Sequence, residues 1–309
     1  MTQPTLRSGL FALLGLVTLA TAAPAQTTVP LLARLSGAQE VPIVLTPGSG
    51  LGFVAVDTLT NTLTYRELFQ NLTGIETAAH IHGFAPAGVN AGVVHAQALG
   101  QPKCGVWAMT PVQQSNVIGG FAYFNIHTTT NPGGEIRGQI DLRPDQGEFC
   151  FGDGSGTPCP CGNNSAVGDN EGCLHAPGMG GRLVGYAGPP LAPTPSISND
   201  NFVLHALRLP ASTFVLFFQG TVPMNGGNGI QFGSGLLCLT GNITRLNIKA
   251  TCNGQVGLPE PGDLPISVSG GVVPGAYLYQ GWFRTNPGFC AAIPGNFNLT
   301  NAIRVVWAP

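Results

Sequence analysis

Residues 51–69 read LGFVAVDTLTNTLTYRELF, and this stretch decides the fold class. Two short segments of alternating or β-branched character, 51–57 and 63–69, flank the polar link Asp57-Thr58-Leu59-Thr60-Asn61. Segments of this composition are typical of β-strands, and a short polar link between two of them is typical of a hairpin. The stretch therefore predicts a tight antiparallel hairpin.

Segments of the same character recur along the chain at intervals of about ten residues, the spacing expected of a β-sandwich or barrel. In the first half the further candidates are 29–35, 78–82, 92–96, 119–127 and 135–142. In the second half they are 202–209, 213–219, 235–240, 243–250, 266–268, 277–284 and 302–307. The sequence predicts an all-β protein with two consecutive antiparallel β-sandwich or barrel domains.

The composition supports this fold class and excludes several kinds of partner. Only 8% of the residues are charged, the formal net charge is -2, and 43% are hydrophobic, with 45 Gly and 26 Pro. A chain so poor in Lys and Arg is not built to neutralise nucleic-acid phosphates or anionic lipids. Its hydrophobic content is too high for a disordered chain, and its Gly and Pro content disfavours long helices.

The N-terminus has the layout of a secretory signal peptide. Arg7 precedes an apolar run at residues 10–20, which is followed by the small residues TAAPAQ at 21–26. The run is well short of the roughly 20 residues that cross a bilayer. We therefore expect a signal peptide at residues 1–25, no membrane span, and an exported, soluble protein that is extracellular or attached to the cell envelope.

The cysteines divide the chain unevenly. Cys104 is the only one in the first half, whereas seven follow residue 147, where Gly-rich turns replace the alternating segments. The sequence predicts domains at residues 26–146 and 147–309. Because an exported chain meets an oxidising environment, we expect disulfides rather than zinc ligation at Cys150, Cys159, Cys161 and Cys173. Cys104 either stays free or bonds to the odd cysteine of the second domain, for which Cys252 is the preferred partner.

Four motifs in the first half carry a family resemblance. They are LSGAQEVP at 35–42, TAAHIHG at 77–83, NIHT at 125–128 and NPGGEIRGQI at 131–140. In wording and order they resemble the CHRD domain, which is repeated in chordin, a secreted antagonist of growth factors, and occurs in many exported bacterial proteins. The resemblance implies an immunoglobulin-like or superoxide-dismutase-like sandwich. It does not imply growth-factor binding, because the cysteine-rich repeats of chordin are not visible here.

The second half resembles a C-terminal module of exported bacterial proteins without an assigned activity. The motifs that carry this resemblance are FCFGDGSG at 149–156, CPCGN at 159–163, FFQG at 217–220 and FNLTNA at 297–302. The resemblance implies an exported location and no catalytic residue.

The histidines are the residues of this sequence that are best suited to bind a metal ion. Because successive strand residues face opposite sides, His80 and His82 share one face, and His127 lies opposite Ile126 in its own strand. If the two strands are neighbours, three imidazoles converge, a ligand set that suits copper or zinc. The H-x-H spacing is similar to a copper-ligand pair of copper-zinc superoxide dismutases. Glu135 or Asn125 is a candidate fourth ligand or outer partner of the histidines, and His95 is a weaker ligand candidate.

A structural interpretation of the same residues stays open. The histidines could form a hydrogen-bonded polar cluster with Asn125, Glu135 and Arg137 that stabilises the sheet. Likewise, the aromatic group Tyr277, Tyr279, Trp282 and Phe283 could stack on sugars, although core packing is the favoured interpretation.

The chain contains no nucleophile elbow, zincin helix or phosphate-binding Gly loop. We therefore expect a non-enzymatic extracellular or cell-surface binding or structural module with a protein or polysaccharide partner. The alternative function is a copper- or zinc-binding protein, with or without redox activity, that uses His80, His82 and His127.

Overall fold

The computed structural model describes residues 28–188, 194–285, 290 and 296–309. The predicted signal peptide at residues 1–25 lies outside this part of the chain. Almost all regular structure in the described residues is β-strand, which confirms the predicted fold class. No helix among them has the length and apolar character needed to span a bilayer.

The first half of the chain forms one eight-stranded sheet. Its strands are β1 (Thr28–Ser36), β2 (Ser49–Asp57), β3 (Thr62–Gln70), β4 (Glu76–Gly83), β5 (Val93–Ala96), β6 (Lys103–Ala108), β7 (Ala122–Thr128) and β8 (Ile136–Gln139). They lie in the order β5-β4-β7-β8-β1-β2-β3-β6. Strands β2 and β3 form the predicted hairpin, with Asp57 paired to Thr62 and Asn61 in the left-handed region at φ 53°.

The sheet curls until its two edge strands approach each other, which gives a nearly closed, barrel-like domain. His95 of β5 stacks on Trp107 of β6 with ring centroids 5.6 Å apart. The same imidazole lies 3.4 Å from the hydroxyl of Tyr65 on β3. Inside the curl, alternate strand residues such as Val54 and Phe124 are fully buried. The concave face of the sheet is therefore the apolar core of the first domain.

One helix of the first domain was not expected from the sequence. Helix α1 (Pro111–Ile118) begins with a capping box, in which the Thr110 side chain accepts from the Gln113 N–H and the Gln113 side chain accepts from the Thr110 N–H. Proline at the first helical position completes the start signal. The buried Val117 attaches the helix to the core.

The second half contains shorter strands in several sheets. They are β9 (Gly147–Phe149), β10 (Leu174–Ala176), β11 (Met179–Gly180), β12 (Arg182–Tyr186), β13 (Val203–Leu207), β14 (Phe214–Gly220), β15 (Val222–Pro223), β16 (Ile230–Phe232), β17 (Gly235–Leu237), β18 (Leu239–Thr240), β19 (Thr244–Ala250), β20 (Val256–Leu258), β21 (Gly275–Arg284) and β22 (Phe297–Trp307). The two main sheets are β12-β13-β20 and β19-β14-β21-β22-β9. The predicted strand at 266–268 is wrong, because Ile266–Ser269 forms a short helix, α2, directly after Pro265.

The three-stranded sheet β12-β13-β20 is a middle layer between two others. One face, with Leu204 and Ala206, packs against the five-stranded sheet. The other face, with Val203 and Leu207, packs against Leu32, Phe53 and Ala55 on the convex face of the first domain. All five residues of β13 are therefore buried, which explains why VLHAL is not an alternating segment.

Polar and covalent contacts reinforce the junction between the domains. The Arg66 guanidinium makes a two-pronged ion pair with Glu260, at 2.6 and 3.1 Å, and both side chains are buried. Cys104 bonds to Cys252 with Cα atoms 6.2 Å apart, which confirms the preferred pairing. The other pairs are Cys150–Cys238, Cys159–Cys173 and Cys161–Cys290, so every cysteine of the chain is bonded.

His205 makes this junction sensitive to acid. It is fully buried, with Nε2 3.0 Å from the Gln255 amide oxygen, and burial lowers its pKa to about 4. Between about pH 6.5 and pH 4 the unfolded chain therefore binds a proton that the folded chain does not. We expect this histidine to remove a few kcal/mol of stability as the pH falls through that window, at about 1.4 kcal/mol per pKa unit.

The comparison of the protein with His205→Gln isolates this contribution. Buried Glu40, Glu67 and Glu171, whose pKa values burial raises to about 7, act in the opposite direction, because their carboxylates lower stability as the pH rises. These carboxyl groups are common to both proteins, so their effect cancels in the difference. Denaturant unfolding between pH 4 and pH 7 should show a flatter acid limb for the variant, and parallel curves would refute the assignment.

Candidate metal centre

Two neighbouring strands place three histidines on one face of the first sheet. Strands β4 and β7 pair antiparallel with His80 opposite Asn125, His82 opposite Tyr123, and Ala78 opposite His127. Ile81 points into the apolar core, so His80 and His82 lie on the convex face. His127 is two residues from Asn125 and shares that face.

The three imidazoles are in mutual contact. The ring centroids are 5.5 Å apart for His80 and His82, 5.1 Å for His80 and His127, and 5.8 Å for His82 and His127. One ring nitrogen from each residue lies within 4.8 Å of the other two. All three side chains are held at the protein surface and are partly buried.

Backbone carbonyls determine which ring nitrogens are free. His82 Nδ1 lies 2.9 Å from the Ala91 carbonyl oxygen, and His127 Nδ1 lies 3.0 Å from the Pro132 carbonyl oxygen. A carbonyl can only accept a hydrogen bond, so both Nδ1 atoms carry the proton. In a neutral imidazole the Nε2 atom then has a free lone pair, which is the form that ligates a metal.

One of these lone pairs has no partner in the protein. His82 Nε2 is buried, and no hydrogen-bond donor reaches it. His127 Nε2 accepts from His80 Nδ1 at 3.2 Å, so the His127 lone pair has a partner that a bound metal would replace, and His80 Nε2 is not used by this contact. A buried acceptor without a donor costs about 1–3 kcal/mol, so a bound cation would relieve an unfavourable feature at His82. The donor set therefore fits a metal ion that prefers nitrogen ligands, of which copper and zinc are the common examples.

The environment keeps His80 and His82 neutral. Burial and the neighbouring His127 lower the pKa of His80. Burial is also the main cause that lowers the pKa of His82. The hydrogen bond to the Ala91 carbonyl opposes it, and His127, His80 and Arg137 lower the pKa by smaller amounts. Both imidazoles are thus in their ligating form at neutral pH.

The buried residues Tyr123 and Arg137 lie beside His82 and fix its position. The Tyr123 ring stacks on the His82 ring, 5.0 Å away at an angle of 8°, and its hydroxyl accepts from the Ala91 N–H at 2.9 Å. The Arg137 guanidinium lies 3.5 Å from the centre of the Tyr123 ring, an attractive cation–π contact. Arg137 also donates to the Val89 carbonyl. These contacts hold the loop that contains Ala91 against the histidine.

Glu135 has partners other than the predicted ones. Its carboxylate accepts from the hydroxyls of Thr46 and Thr128 at 2.6 and 2.7 Å, and from the Thr73 N–H at 2.7 Å. Since these donors occupy the carboxylate, the outer partners of the histidines are the Ala91 and Pro132 carbonyls. Sequence reasoning missed both, because a backbone carbonyl leaves no signal in residue type.

The other two candidates are also accounted for. Asn125 lies next to His80 but donates its amide to Glu40 at 3.4 Å. His95 pairs with Ile81, so it lies on the core side of the sheet and contacts Trp107 instead of the three histidines. Histidines 80, 82 and 127 are thus the only members of the cluster among the described residues.

Comparison with known proteins agrees with the motifs of the first domain. The family model of the CHRD domain matches residues 31–140, a range that begins in β1, ends just after β8 and contains all three histidines of the cluster. No curated protein and no solved structure matches the chain. Residues 31–140 are therefore similar to the CHRD domain.

Proposed function

We propose that this protein is an exported, non-enzymatic binding module whose CHRD domain holds one copper or zinc ion through His80, His82 and His127. The observation that carries the proposal is the convergence of three imidazoles, two of which have their Nδ1 protons fixed by backbone carbonyls. A CHRD domain and four cysteine pairs are consistent with an extracellular protein.

The ligand chemistry favours copper and zinc over the hard cations. Three neutral nitrogens suit these metals, whereas calcium and magnesium take carboxylate and carbonyl oxygens. The nearby carboxylate of Glu135 is occupied by threonine and backbone donors. A bound zinc ion would supply a Lewis acid, and a bound copper ion would supply a one-electron redox centre.

Metal analysis of the purified protein tests the proposal. The protein is produced by export, so that its disulfides form, and is then stripped of metal and dialysed against copper or zinc. We expect about one metal ion per chain and a rise in melting temperature. Metal at 100 times its dissociation constant should add about 2.7 kcal/mol of stability.

Calcium and magnesium are the matched controls, since neither should bind nor raise the melting temperature. Protein that retains no copper or zinc, with an unchanged melting temperature at millimolar metal, would refute the metal-binding proposal. The polar-cluster interpretation of the histidines would then stand.

A macromolecular partner is supported by a separate observation. The two domains share a buried apolar junction, a buried ion pair and a disulfide, so their loops are displayed from one continuous scaffold. We propose an extracellular protein or polysaccharide as the partner. Capture from cell-envelope fractions, with reduced and alkylated protein as control, tests this, and equal capture by both forms would count against it.

A further inference from the structure

The outer face of the five-stranded sheet carries an aromatic groove that the metal proposal does not use. Strand β14 points Val215 and Phe217 into the core of the second domain, so Leu216 and Phe218 face outward. Beside them lie Phe232, Trp282 and Phe297, with ring centroids 5.1 Å apart for Phe232 and Phe297 and 5.3 Å for Trp282 and Phe297. The groove has a volume of about 460 Å³, within the range of roughly 300–1,000 Å³ of small-molecule sites.

One cation stands alone in this apolar lining. Arg245 of β19 is the single charged residue that lines the groove. Within the described part of the chain, no carboxylate lies within ion-pair distance of its guanidinium, although five other Lys and Arg side chains are paired. A second guanidinium, that of Arg284, lies 5.0 Å from the centre of the Trp282 ring. The groove therefore combines an aromatic wall with positive charge in a chain whose net charge is -2.

This combination selects one ligand chemistry. A polysaccharide needs many hydrogen-bond partners for its hydroxyls, and the described lining offers almost none besides Arg245. A planar guanidinium matches a carboxylate with two parallel hydrogen bonds, and the aromatic and aliphatic wall matches an alkyl chain. Both halves of an amphipathic carboxylic acid are thus complemented.

We propose that this groove binds an amphipathic monocarboxylic acid with an alkyl chain. The carboxylate pairs with Arg245, and the chain lies against Leu216, Phe218, Phe232 and Trp282. The proposal is independent of the histidine cluster, which lies on the first domain.

Calorimetric titration of the intact, disulfide-bonded protein with octanoate and decanoate, below their micelle concentrations, tests the proposal. We expect saturable binding at one site and an affinity gain of about fourfold for each added methylene group. Octan-1-ol, which has the chain but no charge, should bind at least tenfold more weakly than octanoate, since a hydrogen bond to a charged group contributes about ten- to hundredfold. The fluorescence emission of Trp282 gives a second readout, because Trp282 lines the groove. The other two tryptophans, Trp107 and Trp307, are buried and do not line it.

Arg245→Gln should lower the affinity for decanoate about ten- to hundredfold and leave that for octan-1-ol unchanged. Arg304→Gln is the matched control, because Arg304 is an exposed arginine of the same sheet that does not line the groove. The proposal would be overturned if both variants lost the same affinity for decanoate, or if octanoate and octan-1-ol bound equally tightly. It would also be overturned if neither acid showed saturable binding. Burial of this face by self-association, seen as a concentration-dependent mass in light scattering, would also overturn it.

Discussion

Replacing His82 with alanine is expected to weaken copper or zinc binding by more than about 100-fold, because even residues that only orient a metal ligand contribute about 10–100-fold. His82 is the residue whose Nε2 is buried without a donor, so it has the most to gain from a cation. Equilibrium dialysis against a competing chelator measures the change in affinity.

His95→Gln is the matched control for this variant. His95 is on the adjacent strand but on the opposite side of the sheet, so its removal should leave metal affinity unchanged. If His82→Ala binds metal as tightly as the unmodified protein, the metal is held elsewhere. If the role of His82 is purely structural, His82→Ala should lower the melting temperature of the metal-free protein. Metal should then change the melting temperature of neither the variant nor the unmodified protein.

The junction between the domains should respond strongly to a single truncation. Phe53→Ala is expected to lower the free energy of unfolding by about 3–5 kcal/mol, as large-to-small changes of buried aromatic residues do. The Phe53 ring is fully buried, lies 5.2 Å from the His205 ring, and fills the space left by Gly257. Chemical denaturation with both domains followed separately measures the loss.

Gly257→Ala provides the complementary variant. A methyl group at this position would come within 1.9 Å of the Phe53 ring, so the single substitution should be destabilising. In the double variant the added methyl enters the space vacated by the ring, and the loss should be smaller than the sum of the two single losses. Strictly additive losses, or a change below 1 kcal/mol for Phe53→Ala, would show that this contact does not hold the domains together.

Much of the fold was predictable because one physical rule governs most of it. Two-residue alternation identified β2, β3 and β4 to within a few residues, and it placed His80 and His82 on one face. The rule does not apply where both faces of a strand are buried. Strand β12 lies in the middle layer and was missed, although β13 beside it, which is also buried on both faces, was predicted at 202–209.

Two errors came from local signals that competed with alternation. Helix α1 was missed although Thr110, Pro111 and Gln113 form a recognisable N-terminal helix signal, a capping box with proline at the first helical position. At Ile266–Ser269 the β-branched residues suggested a strand, but the preceding Pro265 accepts the hydrogen bond that begins a helical turn.

Residues that are far apart in the sequence could be predicted to contact each other only where the number of candidate partners is small, as it is for the cysteines. A single cysteine in the first domain and an odd number in the second allowed one interdomain bond to pair all eight, and Cys104–Cys252 confirms it. The threonines around Glu135 had no such restriction, since Thr46, Thr73 and Thr128 come from separate parts of the chain. The roles of Ala91 and Pro132 depend on where their carbonyls point, which residue type does not encode.

Electron paramagnetic resonance of the protein loaded with one equivalent of copper(II) tests the central claim most directly. The three-histidine centre predicts a single copper species coupled to nitrogens of three imidazoles, and His82→Ala should lose one of these couplings or the species itself. A spectrum dominated by oxygen ligands, or one that is the same in the variant, would contradict the assignment of His80, His82 and His127 as the metal centre.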